Sequence, residues 1–187
     1  MKKLLFCILG RTASGKDTLT AAVCKELELR QLISYTTRPK RSPTESTHIF
    51  AANKDFNAHL RENKIITYTK IGDYYYWSTK DQLYENDLYV IDYNGLEYLK
   101  QRIDGNDVKL VTVYIDVPAN VRQKRFMLRE HTDARKFIER TQSENEQFNK
   151  LEAAKDWNYR ISNERFEDAK EALKTLILSE KEKINEI

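Results

Sequence analysis

The sequence predicts an α/β fold, a parallel sheet with helices on both faces, and three observations predict it. Apolar strand-like runs alternate with helical patterns along most of the chain. The first run, Leu4–Leu9, leads straight into Gly10-Arg-Thr-Ala-Ser-Gly15-Lys16-Asp17-Thr18, a turn from a strand into a helix. Between Thr36 and about Glu85 the alternation is interrupted once, by a segment holding Pro39, Pro43 and a polar loop.

Taken in order, strands are expected at Leu4–Leu9, Leu32–Tyr35, Leu88–Asp92, Leu110–Ile115 and Trp157–Ile161. Near-continuous apolar runs of this kind suit strands buried on both faces. Helices are expected at Lys16–Leu29, Asn94–Ile103, Ala119–Glu130, Ala134–Asp156 and Glu164–Lys183. The interrupting segment reads as an inserted lobe with a short helix near Lys54–Glu62 and strands at Ile65–Thr69 and Tyr74–Ser78. Such a lobe would sit over the carboxyl edge of the sheet, where ligands bind in open α/β folds. The Lys- and Glu-rich end, Ser179–Ile187, reads as a solvated, fraying helix terminus.

At 187 residues the chain can bury the core of one domain. Lys and Arg exceed Asp and Glu by 32 − 29 = 3, a balance that says little about partners, local arginine clusters mattering more, and no nucleic-acid partner is expected. Cys7 and Cys24 lack metal-ligand spacing and read as reduced core residues. Met1-Lys2-Lys3 before an apolar run superficially matches a signal peptide, but Arg11 and Lys16 interrupt it and no small-residue cleavage site follows. No apolar stretch is long enough to span a membrane, so a cytoplasmic protein without a membrane partner is expected.

Two segments carry chemistry. In Gly10–Thr18 the glycines let backbone N–H groups turn inward, and the following helix adds the positive end of its dipole. Lys16 then reaches outer phosphates as a mobile cation, so the loop suits a polyphosphate. The hydroxyl expected directly after the lysine, for magnesium, is displaced: Asp17 stands there and Thr18 follows. The second segment, Ser34-Tyr35-Thr36-Thr37-Arg38-Pro39-Lys40-Arg41, offers hydroxyls and two guanidinium groups three residues apart. Alone it reads as a solvated turn; beside a phosphate loop it reads as a second anion site.

With these residues the chain resembles the guanylate kinase family over nearly its whole length. The likeness extends through Phe50, Phe56, Gly72-Asp73-Tyr74-Tyr75-Tyr76-Trp77-Ser78, Ile91-Asp92-Tyr93-Asn94-Gly95, Arg129, Arg140 and Ile161-Ser162-Asn163. It implies ATP held with Mg2+ at Gly10, Ser14, Gly15, Lys16, Asp17, Thr18 and Asn163, and a nucleoside monophosphate acceptor. Ser34, Arg38, Arg41 and Tyr76 match the holders of the acceptor phosphate, and Thr67 and Ser78 fall at the acceptor base. Asp92 matches a carboxylate near acceptor and metal, with Thr18 as the other metal candidate; a helix-capping Asp92 is the blander reading. Arg129 and Arg140 match lid arginines, and with Lys16 and Arg38 make the implied catalytic set. Nearby Arg125 and Arg135 read as solvated. The implied organisation is one domain, residues 1–187: core 1–35, 86–125 and 157–187, acceptor lobe about 36–85, lid about 126–156. A monomer or homodimer is expected.

The departures keep the acceptor open. Thr67 stands where the family has a guanine-binding glutamate, and a hydroxyl cannot accept guanine's two N–H donors as a carboxylate does. His48 replaces a tyrosine after a shortened loop containing Glu45, and Trp77 replaces a glycine. Gly-Lys-Asp followed by a hydroxyl, with Glu45 and His48, also resembles ribose bisphosphate kinases. GMP or dGMP is the expected acceptor, with another monophosphate, a sugar phosphate, or a non-catalytic interaction module as alternatives.

Overall fold

A computed structural model describes residues 2–185. The elements run β1 (Lys3–Leu9), α1 (Lys16–Glu26), β2 (Gln31–Leu32), β3 (Tyr35–Thr36), β4 (Ile49–Phe50), α2 (Asn53–Arg61), β5 (Ile65–Ile71) and β6 (Tyr74–Thr79). They continue with α3 (Lys80–Glu85), β7 (Leu88–Val90), α4 (Tyr93–Lys100), β8 (Val108–Asp116), α5 (Ala119–Glu130), α6 (Ala134–Ala154), β9 (Tyr159–Ser162) and α7 (Phe166–Asn185).

Five strands form one sheet in the order β2-β7-β1-β8-β9, and every pairing is parallel. The apolar run of β1 is continuous because both faces are covered. Leu5, Cys7 and Leu9 pack with Leu96 and Leu99 of α4 and Phe148 and Leu151 of α6. Leu4, Phe6 and Ile8 pack with Leu19 and Val23 of α1 and Leu173 and Ile177 of α7. Each fully buried Leu, Ile or Phe contributes about 1.5–3 kcal/mol. The cysteines are free core residues, as expected, and burial pushes their thiols up, to about 12 for Cys7 and about 11 for Cys24.

A second sheet, ordered β4-β3-β6-β5, is mixed: β3 and β4 pair parallel, and the other pairings are antiparallel. Helix α2 closes it by laying Phe56 against Trp77 and Ile65, with the Phe56 and Tyr75 rings stacked 4.2 Å apart.

Four features differ from expectation, one of them the unanticipated two-residue strand β4. The single strand Leu32–Tyr35 is instead β2 and β3, in different sheets. The carbonyls between them are used elsewhere: Gln82 Nε2 donates to Ile33 at 2.8 Å and the Ile49 N–H to Ser34 at 2.9 Å. Helix α3 was not anticipated; the Thr79 N–H donates to Gln82 Oε1 at 3.0 Å, the half of a capping box that starts this short helix. The end of α7 is anchored at Glu180, while Glu182 and Lys183 beyond it are exposed as expected of a solvated terminus. Glu180 is only 4% exposed and accepts from Lys109 (2.9 Å), Lys183 (2.7 Å) and the Tyr159 hydroxyl (2.7 Å). Residues 186 and 187 of that expected terminus lie outside the described residues. Among the described residues no helix is long and apolar enough to cross a membrane.

Candidate active site

The loop between β1 and α1 leaves the carboxyl end of the sheet's central strand. A Cβ on Gly10 would lie 2.6 Å from Ser14 Oγ and 2.9 Å from the Ile115 carbonyl oxygen; the latter is backbone, so glycine is required. Ala13 (φ 62) and Gly15 (φ 80) take left-handed conformations that curl the loop, and Gly15 is the N-cap of α1. The first N–H groups of a helix have no intrahelical acceptor, and they sit at its positive end. Lys16 opens α1 with its ammonium 3.6 Å from the carboxylate of exposed Asp17, and Thr18 is also exposed.

Asn163, just after β9, props the loop: its Nδ2 donates to the Ser14 carbonyl at 2.8 Å. Ser14 Oγ and Asn163 Oδ1 are buried without a hydrogen-bond partner among the described residues. Arg125 does not stay on a solvated face. Its Nη2 donates to the carbonyls of Asn163 (2.8 Å) and Glu164 (3.1 Å). Gly15, Thr18, Arg125, Asn163 and Phe166 line a cleft of about 260 Å³. Arg135 matches expectation, highly exposed and paired with Asp133 at 3.1 Å.

The other flank of the loop is gripped by α5 and α6, a feature the sequence reading missed. Thr12 donates from its N–H to Glu144 Oε1 at 2.9 Å and from its hydroxyl to Oε2 at 2.8 Å. Its carbonyl accepts from Arg122 Nη1 at 3.3 Å. Arg11 donates to Glu152, Asn145 and Asn149, each at 3.0 Å. The signal was present: Glu144 interrupts the buried stripe Phe137, Phe148 and Leu151 of α6, where a carboxylate needs partners. Of the expected lid arginines, Arg129 is exposed with its Nε donating to neighbouring Glu130 at 2.8 Å. Arg140 is exposed on α6.

On the acceptor side the second sheet and its loop bring Arg38, Arg41, His48 and Tyr76 together. Arg38 is 9% exposed and its fork grips Glu45, with Nη2 to Oε1 at 2.7 Å and Nη1 to Oε2 at 3.3 Å. Glu45 also accepts from the Arg41 N–H at 2.6 Å. The Arg38 hydrogen bonds hold the Glu45 carboxyl down at about 2. Arg38 Nε is buried without a partner among the described residues. The His48 and Tyr76 rings meet edge to face at 5.5 Å, and Arg41 is exposed.

Ser34, Thr67 and Ser78 converge through Tyr89 of β7, a residue the sequence analysis did not single out. Ser34 Oγ lies 3.0 Å from the Tyr89 hydroxyl, which lies 2.8 Å from Thr67 Oγ1, which lies 2.7 Å from Ser78 Oγ. Thr67 and Ser78 are buried, 2% and 0% exposed. Asp92 does cap α4: its Oδ1 accepts from the Gly95 N–H at 2.7 Å and the Thr69 hydroxyl at 3.3 Å.

Two couplings tie the flanks into one neighbourhood. Burial raises the Asp92 carboxyl, and the positive charge of Lys16 is among the groups that oppose this. Burial and then the charge of Arg38 lower the His48 imidazole, while Glu45 and Asp17 of the phosphate loop oppose that. The arrangement can hold two polyanions whose facing ends share a field of lysine and arginine.

Comparison with known proteins agrees with this geometry. The family model described as guanylate kinase matches residues 2–180. The guanylate kinase of Rickettsia felis is 28% identical over 192 residues, spanning 97% of this chain and 96% of the relative. That of Blochmanniella floridana is 29% identical over 202 residues, spanning 99% and 92%. The crystal structure of guanylate kinase from Anaplasma phagocytophilum superposes with a TM-score of 0.70 at 18% identity, covering 96% of this chain and 86% of that one, a likeness of fold. The chain belongs to the guanylate kinase family.

Proposed function

We propose that the protein transfers the terminal phosphoryl group of ATP to GMP or dGMP. The observation that carries this reading is the pairing of two unlike anion sites in one neighbourhood, the backbone cradle at Gly10–Thr18 and the Arg38–Arg41 cluster. The names of the relatives support guanylate as the acceptor.

In this reading the loop amides and Lys16 hold the donor phosphates, and the cleft beside Gly15, Arg125 and Asn163 takes the rest of ATP. Ser14 and Asp17 shape and flank the cradle. Arg38, its fork held by Glu45, is the acceptor-phosphate guanidinium in this reading, with Arg41, Tyr76 and Ser34 completing the site. Thr67 and Ser78 meet the acceptor base once the lobe of residues about 36–85 opens, since both are buried here. Arg129 and Arg140, on a lid of about 126–156, stand over the group in flight. Phosphoryl transfer needs positioning and charge neutralisation rather than covalent help.

Among the described residues no three His, Cys, Asp or Glu side chains are grouped to hold a metal. That donor chemistry suits magnesium carried by the triphosphate, which asks one or two oxygens of the protein. The Thr18 hydroxyl and the Asp92 carboxylate would supply them, and the ion would supply neutralisation between the phosphates.

An acceptor screen with ATP and Mg2+ tests the reading. GMP and dGMP should turn over in preference to other monophosphates and to ribose bisphosphate. GMP left inert beside an active sugar phosphate would overturn it, and no ATP binding at all would favour an interaction module.

A further inference from the structure

We infer that Glu144 is a positioning residue that couples the lid helix α6 to the phosphate loop, and so sets where Arg140 stands above the donor phosphates. The inference rests on the phosphoryl-transfer reading of the same site. All three polar groups of Thr12 are taken by charged side chains of the helical segment: the N–H and hydroxyl by Glu144, the carbonyl by Arg122. Thr12, Arg122 and Glu144 are 9%, 8% and 8% exposed, so the joint is largely withdrawn from water. Charge-assisted hydrogen bonds in such a setting are strong and directional. The adjoining Arg11 fastens the same loop to Asn145, Asn149 and Glu152, along one side of α6.

The joint has a consequence for chemistry because Arg140 lies four residues before Glu144, on the same face of α6. A helix gripped at Glu144 has its rotation and axial position fixed relative to the loop. The arginine one turn earlier is thereby aimed from the loop's own frame, not from a freely swinging lid. Glu144 touches no reacting atom in this account; it acts through Thr12 and Arg140.

A double-mutant cycle tests the coupling. Glu144→Ala should lower kcat by about 10-fold to 10²-fold, with KM for ATP and for GMP within about threefold of wild type. In an Arg140→Ala background the same change should cost less than about twofold, because there is then no arginine left to misplace. Glu144→Gln, which keeps one acceptor oxygen for the Thr12 N–H, should recover part of the loss. An equal loss with and without Arg140, or an unchanged kcat, overturns the inference. Should Glu144→Ala not fold, Thr12→Ala replaces it in the cycle, with the same non-additivity expected at smaller size. Hydrogen exchange of the Thr12 amide gives an answer independent of turnover: slow in wild type, partly protected in Glu144→Gln and released by Glu144→Ala. Wild-type protein that transfers nothing overturns the transfer reading, whereas an unprotected Thr12 amide overturns the coupling.

Discussion

The donor and acceptor flanks of the proposed active site are made of different material. The donor loop is backbone, curled by Ala13 and Gly15 and hung from β1, whose residues pair with β7 on one side and β8 on the other. The acceptor flank is side chains, Arg38 and Tyr76 among them, carried on or beside the two-residue strands β3 and β4 and on β6. A backbone site needs glycines and a rigid base but tolerates changes outward, as exposed Asp17 illustrates. A side-chain site needs partners that preset its charges; here Glu45 holds the Arg38 fork.

The sharpest way to break this contrast is at Lys16, the charged side chain that the donor reading places on the phosphates. Lys16→Met should lower kcat by about 10²–10³-fold, the scale for losing one preorganised donor, without moving the thermal midpoint. A comparable fall in stability would mean that the lysine is structural.

The next largest effect separates the two sheets. Phe56→Ala, in the small cluster with Trp77 and Ile65, should cost about 3–5 kcal/mol, felt as local opening of the second sheet in hydrogen exchange. Leu5→Ala, in the main core, should cost about 2–5 kcal/mol and lower protection across the whole molecule. Equal loss of protection everywhere in both variants would erase the distinction between the sheets.

Acid should act on the core sheet through Glu180. Burial raises its carboxyl, but hydrogen bonds from Lys183, Tyr159 and Lys109 outweigh this and hold it at about 2. Its stabilisation is therefore complete above the ordinary carboxylate range and lost as pH falls from about 4.5 to about 2. Glu180→Gln should flatten the stability curve in that window by at most about 3 kcal/mol.

The smallest expected effect belongs to Arg38→Lys. It keeps the charge but loses the fork, so kcat/KM for the acceptor should fall about tenfold while KM for ATP holds.

Legibility in the sequence followed the same divide. The parallel core could be read because β1 and β8 carry apolar residues matched to two covered faces, and the phosphate loop because glycine spacing states its backbone geometry. The acceptor flank was read through its arginines, but its partners were not. Tyr89 looks like any apolar-strand residue until the fold sets it between Ser34 and Thr67. The split of Leu32–Tyr35 depends on Gln82, 49 residues from Ile33 in the chain. Glu144 sits 132 residues from Thr12, a separation at which helical periodicity marks a misfit but names no partner. Arg125 looked solvated because its partners are carbonyls, which carry no sequence signature.

The central claim, two anion sites of different construction lying in one neighbourhood, is tested most directly by the affinity of adenosine and guanosine joined through five phosphates. Occupying both sites at once, it should bind at least about 10²-fold more tightly than ATP or GMP alone, and lose affinity with either Lys16→Met or Arg38→Lys. Binding no tighter than ATP, or indifferent to Arg38, would contradict the account.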